Sequence, residues 1–190
     1  KYAPDYVSRA KYDEMVQANG AVKALLDVAQ LENIPTLMNY QVDFDGADVT
    51  RLNQALSQAQ LLPAQIEPGL NAAYNILAAG EGDRSNLIKP RWQAGYDLAM
   101  GRILAAKSRV EGYNAMLAAL KRGKVFENEG STRWVLNPAE ETEAGSALKK
   151  LGERAIEYLE RVKAEHEGTP WAQMAEMELQ IPVGWKWMEQ

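Results

Sequence analysis

AIEYLERVKAEHEGTPWAQMAEMEL, residues 155–179, is the stretch on which the fold turns. Ala155, Tyr158, Leu159 and Val162 recur at helical spacing, which predicts a helix with one buried side. Gly168 supplies the left-handed residue that ends such a helix. Thr169 then caps a new one, with Pro170 at its first position, where a missing N–H is no loss. Trp171, Ala172, Ala175 and Leu179 can pack back on the first helix. Residues 146–180 therefore read as a helical hairpin of tetratricopeptide type. An array is not predicted, because one hairpin of this kind does not make a solenoid, which needs about three units.

Outward from the hairpin, helical periodicity dominates. Residues 90–122 predict a long helix opened by Pro90 and stopped by Gly123, with Trp92, Tyr96, Ala99, Ile103, Val110, Tyr113 and Leu117 on one face. Such a rod is about 50 Å long. Residues 48–79 predict a kinked helix, broken near Pro63 because an internal proline removes a hydrogen bond and clashes with the preceding turn. Residues 8–31 predict a helix capped by Asp5 or Ser8, with Gly20 as a weak point and Pro35 closing the segment. Tyr40, Val42 and Phe44 alternate with polar residues as in a short strand. Residues 124–137 predict a β-hairpin turning at Asn128–Ser131, and residues 181–190 a tryptophan-containing tail. The expectation is a mainly α fold: one elongated domain over residues 1–190, an antiparallel long-helix bundle with a small β-hairpin insertion and the C-terminal helical hairpin.

Composition bounds the function. Of 190 residues, 46% are hydrophobic, enough for a sizeable core, and 21 basic against 26 acidic residues give a net charge of -5. No stretch is dense in Lys and Arg, which argues against a nucleic-acid partner. No apolar run reaches the length of about 20 residues that a membrane helix needs. The chain has no cysteine, which excludes disulfides, zinc–thiolate sites and cysteine nucleophiles. It starts at Lys1, and a processed piece of a longer protein is expected.

Candidate chemistry is sparse. His166, the single histidine, falls at a helix end, where capping or a surface position is expected. Asp43, Asp45 and Asp48 around Gly46 lack calcium-loop spacing and read as a turn with a helix cap. Glu140, Glu141 and Glu143 read as a solvated loop, and Gly80–Glu81–Gly82 lacks a phosphate-loop ending. No catalytic residue, metal or cofactor is expected. The aromatic residues are the remaining candidates for binding: Trp171, Trp185, Trp187 and Tyr96. In an extended tail Trp185 and Trp187 face the same side; they either close the helical core or present an aromatic patch to a partner or a sugar ring.

Five segments carry a resemblance: Tyr2–Tyr6, Pro90–Arg102, Tyr113–Leu117, Gly168–Ala172 and Pro182–Trp187. Together they resemble the C-terminal region of large bacterial von Willebrand factor A domain proteins of the planctomycete type, across essentially the whole chain. The adhesion-site loop of that family's A domain, Asp-x-Ser-x-Ser, does not occur here, so its metal site does not carry over. The resemblance implies an accessory region following an A domain, with a role in protein association at the cell envelope or outside the cytoplasm. The combined expectation is a non-enzymatic interaction or scaffold module that binds a protein partner or itself. The alternative is an envelope polysaccharide-binding domain using exposed aromatic residues.

Overall fold

The structure, a computed structural model, describes residues 1–31 and 39–190. Among them lie seven helices: α1 (Arg9–Gln17), α2 (Gly20–Val28), α3 (Val49–Ala59), α4 (Leu61–Gly80), α5 (Pro90–Lys121), α6 (Ser146–Glu165) and α7 (Pro170–Leu179). Three strands, β1 (Asp43–Asp45), β2 (Arg133–Ala139) and β3 (Gly184–Glu189), form one antiparallel sheet in the order β1-β2-β3. The fold is mainly α with a small β element. No helix among the described residues is long and apolar enough to cross a membrane.

The chain divides into two compact units. Unit 1 comprises Lys1–Ile34, Gly69–Leu104 and Arg154–Ile181, and unit 2 comprises Pro35–Pro68, Ala105–Glu153 and Pro182–Gln190. Helices α4, α5 and α6 each contribute residues to both.

In unit 1 the helical hairpin forms where the sequence places it. Gly168 adopts a left-handed φ of 73°, and the Thr169 side chain accepts from the Ala172 N–H at the start of α7. Leu159 and Val162 of α6 and Ala175 of α7 share a core cluster with Leu98. The expected helix over residues 8–31 is two helices instead. The side chain of Asn19 accepts from the N–H groups of Ala21 and Val22 at 2.9 and 3.1 Å, so the chain restarts at Gly20. Gly20 is thus the first residue of α2 and not a weak point inside a helix. Its carbonyl also lies so near Gly80 that a Cβ there would stand 2.5 Å from it, an approach only glycine permits. The expected stop at Pro35 lies outside the described residues.

In unit 2 the sheet supplies one buried face. Phe44 pairs with Trp134, and Leu136 with Trp187. Alternation then puts Phe44, Trp134, Leu136, Trp185 and Trp187 on the same side, packed with Leu52 and Leu56 of α3 and with Tyr113 and Leu117 of α5. Each large side chain so buried contributes about 1.5–3 kcal/mol.

The structure corrects or sharpens three expectations in this unit. Residues 124–137 are not a hairpin. Only their last part is strand, and it pairs with β1 and β3, while the Glu127 and Asn128 N–H groups donate to the Glu189 carboxylate at 2.9 and 2.8 Å. Residues 181–190, expected as a tryptophan-containing tail, hold an edge strand, Gly184–Glu189, and its two tryptophans close the core, the first of the two readings given for them. The helix over residues 48–79 breaks at Gln60, before Pro63. The Gln60 carbonyl accepts from the Ala64 N–H to open α4, which leaves Pro63 in a first turn that needs no N–H from it. Asp48 caps α3 as the sequence predicts, accepting from Thr50 and Arg51.

Candidate functional site

Three of the four aromatic residues singled out by the sequence are core. Tyr96 is 0% exposed, Trp185 4% and Trp187 7%. The Tyr96 hydroxyl donates to the Leu77 carbonyl at 2.6 Å, and the Trp185 indole donates to the Arg109 carbonyl at 2.9 Å. Trp187 lies edge-on to both Phe44 and Trp134. The exposed aromatic face that a sugar-binding tail requires is not formed by these residues, because pairing in β3 turns both tryptophans onto the covered side of the sheet.

Trp171 behaves differently. It is only partly buried, and it lines a groove of about 330 Å³ within unit 1. The groove follows from helical spacing. Arg91, Gly95, Leu98 and Arg102 fall three or four residues apart and so share one stripe of α5. Trp171 and Met174, three apart, line it from α7, and Leu25 from α2. Gly95 opens the floor: a Cβ there would stand 3.0 Å from Leu25 Cδ2 and 3.9 Å from Trp171 Nε1. Tyr2 stacks on Trp171 with centroids 5.7 Å apart and so fixes the indole from its other side.

The groove is apolar in its floor and basic in its walls. The Arg91 guanidinium lies 5.0 Å from the ring of Trp92, a cation–π arrangement. Trp92 itself is buried and directs its indole N–H toward the Asp5 carboxylate at 3.4 Å. Arg102, 42% exposed in its side chain, pairs with Glu178 at 3.4 Å. A neighbouring depression lined by Tyr12, Met15, Val16 and Ile88 is almost wholly apolar.

The buried ionisable groups of unit 1 tie helices together. Asp97, 0% exposed, receives three hydrogen bonds from Arg84, at 3.0, 3.1 and 2.5 Å, and faces Arg161 at 3.6 Å. Burial pulls Glu81 upward, but hydrogen bonds from Tyr158 and Arg154 outweigh it and hold the carboxyl below its usual range. Burial and the bond to Glu81 push the Tyr158 phenol up to about 12.

His166 departs from expectation. It is 2% exposed, not at the surface, because Tyr2 covers it and bonds its Nδ1 at 2.9 Å. Its Nε2 has no hydrogen-bond partner among the described residues. Its backbone does cap the helix end, the carbonyl accepting from the Thr169 N–H and hydroxyl. No group of three His, Asp or Glu side chains converges to hold a metal among the described residues.

Sequence reasoning singled out Trp171, which lines the groove, and missed Arg91, Gly95 and Arg102. The signal was present in their spacing along α5, where a glycine flanked by arginines interrupts an otherwise apolar stripe. Comparison with protein-family models, with curated proteins and with solved structures finds no match for this chain.

Proposed function

We propose that the chain is a non-enzymatic protein-interaction module, accessory to an adhesion-type A domain of a longer protein at the cell envelope. The observation that carries the interaction reading is the groove of unit 1. It combines an open apolar floor at Gly95, an accessible tryptophan and two arginines on the rigid frame of α5 and α7. A helix-lined groove with apolar anchors and a charged rim is how folded proteins take peptide segments. The α6–α7 hairpin, likened above to tetratricopeptide units, supplies Trp171 and Met174. The place beside an A domain rests on the sequence resemblance.

Photo-crosslinking tests the interaction reading. Benzoyl-phenylalanine in place of Met174, 37% exposed at the groove, should give a discrete protein adduct in extracts of the source organism, whereas the same group at Tyr6, 89% exposed, should not. Identical adduct patterns at the two positions, or none at Met174, would remove the groove as the docking site.

A further inference from the structure

The charge in the groove runs against the charge of the chain. The protein carries a net -5, yet the groove lining contains two guanidiniums and no carboxylate. Arg91 makes no ion pair among the described residues, only its stack on Trp92. Arg102 has one partner among the described residues, Glu178, and is 42% exposed, so most of its five N–H donors remain open there. The indole N–H of Trp171 adds a third donor. It makes no hydrogen bond among the described residues, and its nitrogen faces the space above Gly95. Donors in excess of acceptors around an apolar floor define the complement: an apolar side chain flanked by carboxylates.

Resting on the docking role proposed above, we infer that this groove takes an acidic peptide segment of a partner protein. An apolar side chain seats over Gly95 against Leu25 and Trp171, and carboxylates on either side pair with Arg91 and Arg102. Helix geometry sets the spacing. Arg91 and Arg102 are eleven residues apart on one helix, which is about 16 Å at 1.5 Å per residue. A strand covers that distance in about five residues at 3.3 Å each. The acids in the ligand therefore stand about five residues apart if it binds extended, and about eleven apart if it binds as a helix parallel to α5.

Selection from a phage library of random 16-residue peptides, with the 190-residue chain as bait, tests this. The enriched peptides are then synthesised and titrated by fluorescence anisotropy. The expected peptides carry Asp or Glu at one of those spacings around an apolar residue. They bind about tenfold or more weaker to the Arg91→Glu, Arg102→Glu variant. Two variants at the exposed Met174 separate charge from packing: Met174→Glu should weaken binding and Met174→Lys should hold or strengthen it. Enriched peptides that are basic or uncharged, bind equally to both Met174 variants and yet fail to bind Gly95→Leu would overturn the acidic ligand while leaving a docking groove. Peptides that bind Gly95→Leu as well as the parent, with that variant's melting temperature unchanged, would overturn both, as would a selection that enriches nothing.

Discussion

The two units use their tryptophans differently. Unit 2 closes on its rings: Trp134, Trp185 and Trp187 are each under 8% exposed, and the rings of Tyr40, Tyr113 and Trp185 meet tilted or edge-on with centroids within 5.6 Å of one another. Unit 1 is tied instead by charge, through Asp97 with Arg84 and Arg161 and through Glu81 with Arg154 and Tyr158. It buries Trp92 but leaves Trp171 partly open at a groove, its indole N–H without a hydrogen bond among the described residues. The difference lies in what surrounds each ring. A strand register buries Trp185 and Trp187 because every second residue must face the covered side. A residue in the first turn of a two-sided helix such as α7 has no such obligation.

The largest expected effect breaks or upholds that contrast directly. Trp185→Ala removes a buried ring packed against Tyr40 and Tyr113 and leaves the Arg109 carbonyl without its indole donor. It should cost about 3–5 kcal/mol in urea unfolding. Trp171→Ala, at the groove, should cost about 1–2 kcal/mol and leave near-UV dichroism of the remaining tryptophans largely intact. Equal costs would mean that Trp171 is core too, and the groove would lose its standing as a site.

Asp97 sharpens the comparison from the side of charge. Asp97→Ala takes the buried acceptor from Arg84, whose side chain is 18% exposed, and from Arg161, at 28%, and leaves each only a more exposed partner, Glu165 or Glu157. Breaking such a pair should cost about 3 kcal/mol, again read by urea unfolding. Replacing all three charges together, with Asp97→Leu, Arg84→Met and Arg161→Met, should restore most of that loss, because no buried charge is then left unpaired. A triple variant no better than Asp97→Ala would show that the residues act through shape and not through charge.

The sequence made local features legible and left long-range ones hidden. The stop at Gly168, the Thr169 cap, the Pro90 start and the Asp48 cap each depend on neighbours within four residues, and each is where the residues predict it. The strand around Phe44 was visible in its alternation. The partner of β2 was not, because Trp134 pairs with Phe44 and Glu189, distant in sequence on both sides. The loop after Gly123 looked like a nearby strand only because Val125 and Phe126 are strand-forming residues. Phe126 is in fact a lid stacked 4.5 Å over Trp134. His166 read as a surface residue for the same reason: Tyr2, which buries it, lies 164 positions away. In the groove, the helical spacing of Arg91, Gly95 and Arg102 was readable, but not that α2 and α7 flank them. The burial of Asp97 was not readable either, because the cations that meet it, Arg84 and Arg161, come from outside α5.

The smallest expected effect concerns pH and separates the units by a single group. Burial holds the His166 imidazole below its ordinary value, against the opposing pull of Glu165 and Asp97 and with Lys1 and Arg84 adding to the depression. The fold thus prefers neutral His166, bonded to Tyr2. A depressed histidine contributes stability that is fully present above the unfolded value of about 6.5 and is lost as pH falls through the folded value. The unfolded chain takes up the proton first. Wild-type protein should therefore lose more stability between about pH 7.5 and 5.5 than His166→Phe, which keeps a ring against Tyr2 and removes the titration. The comparison of slopes matters more than either curve, because carboxylates common to both proteins cancel. Identical slopes would mean that the imidazole charges as readily inside the fold as in water. The cover provided by Tyr2 would then be too loose to exclude solvent, and its stack on Trp171 would no longer be a firm wall for the groove.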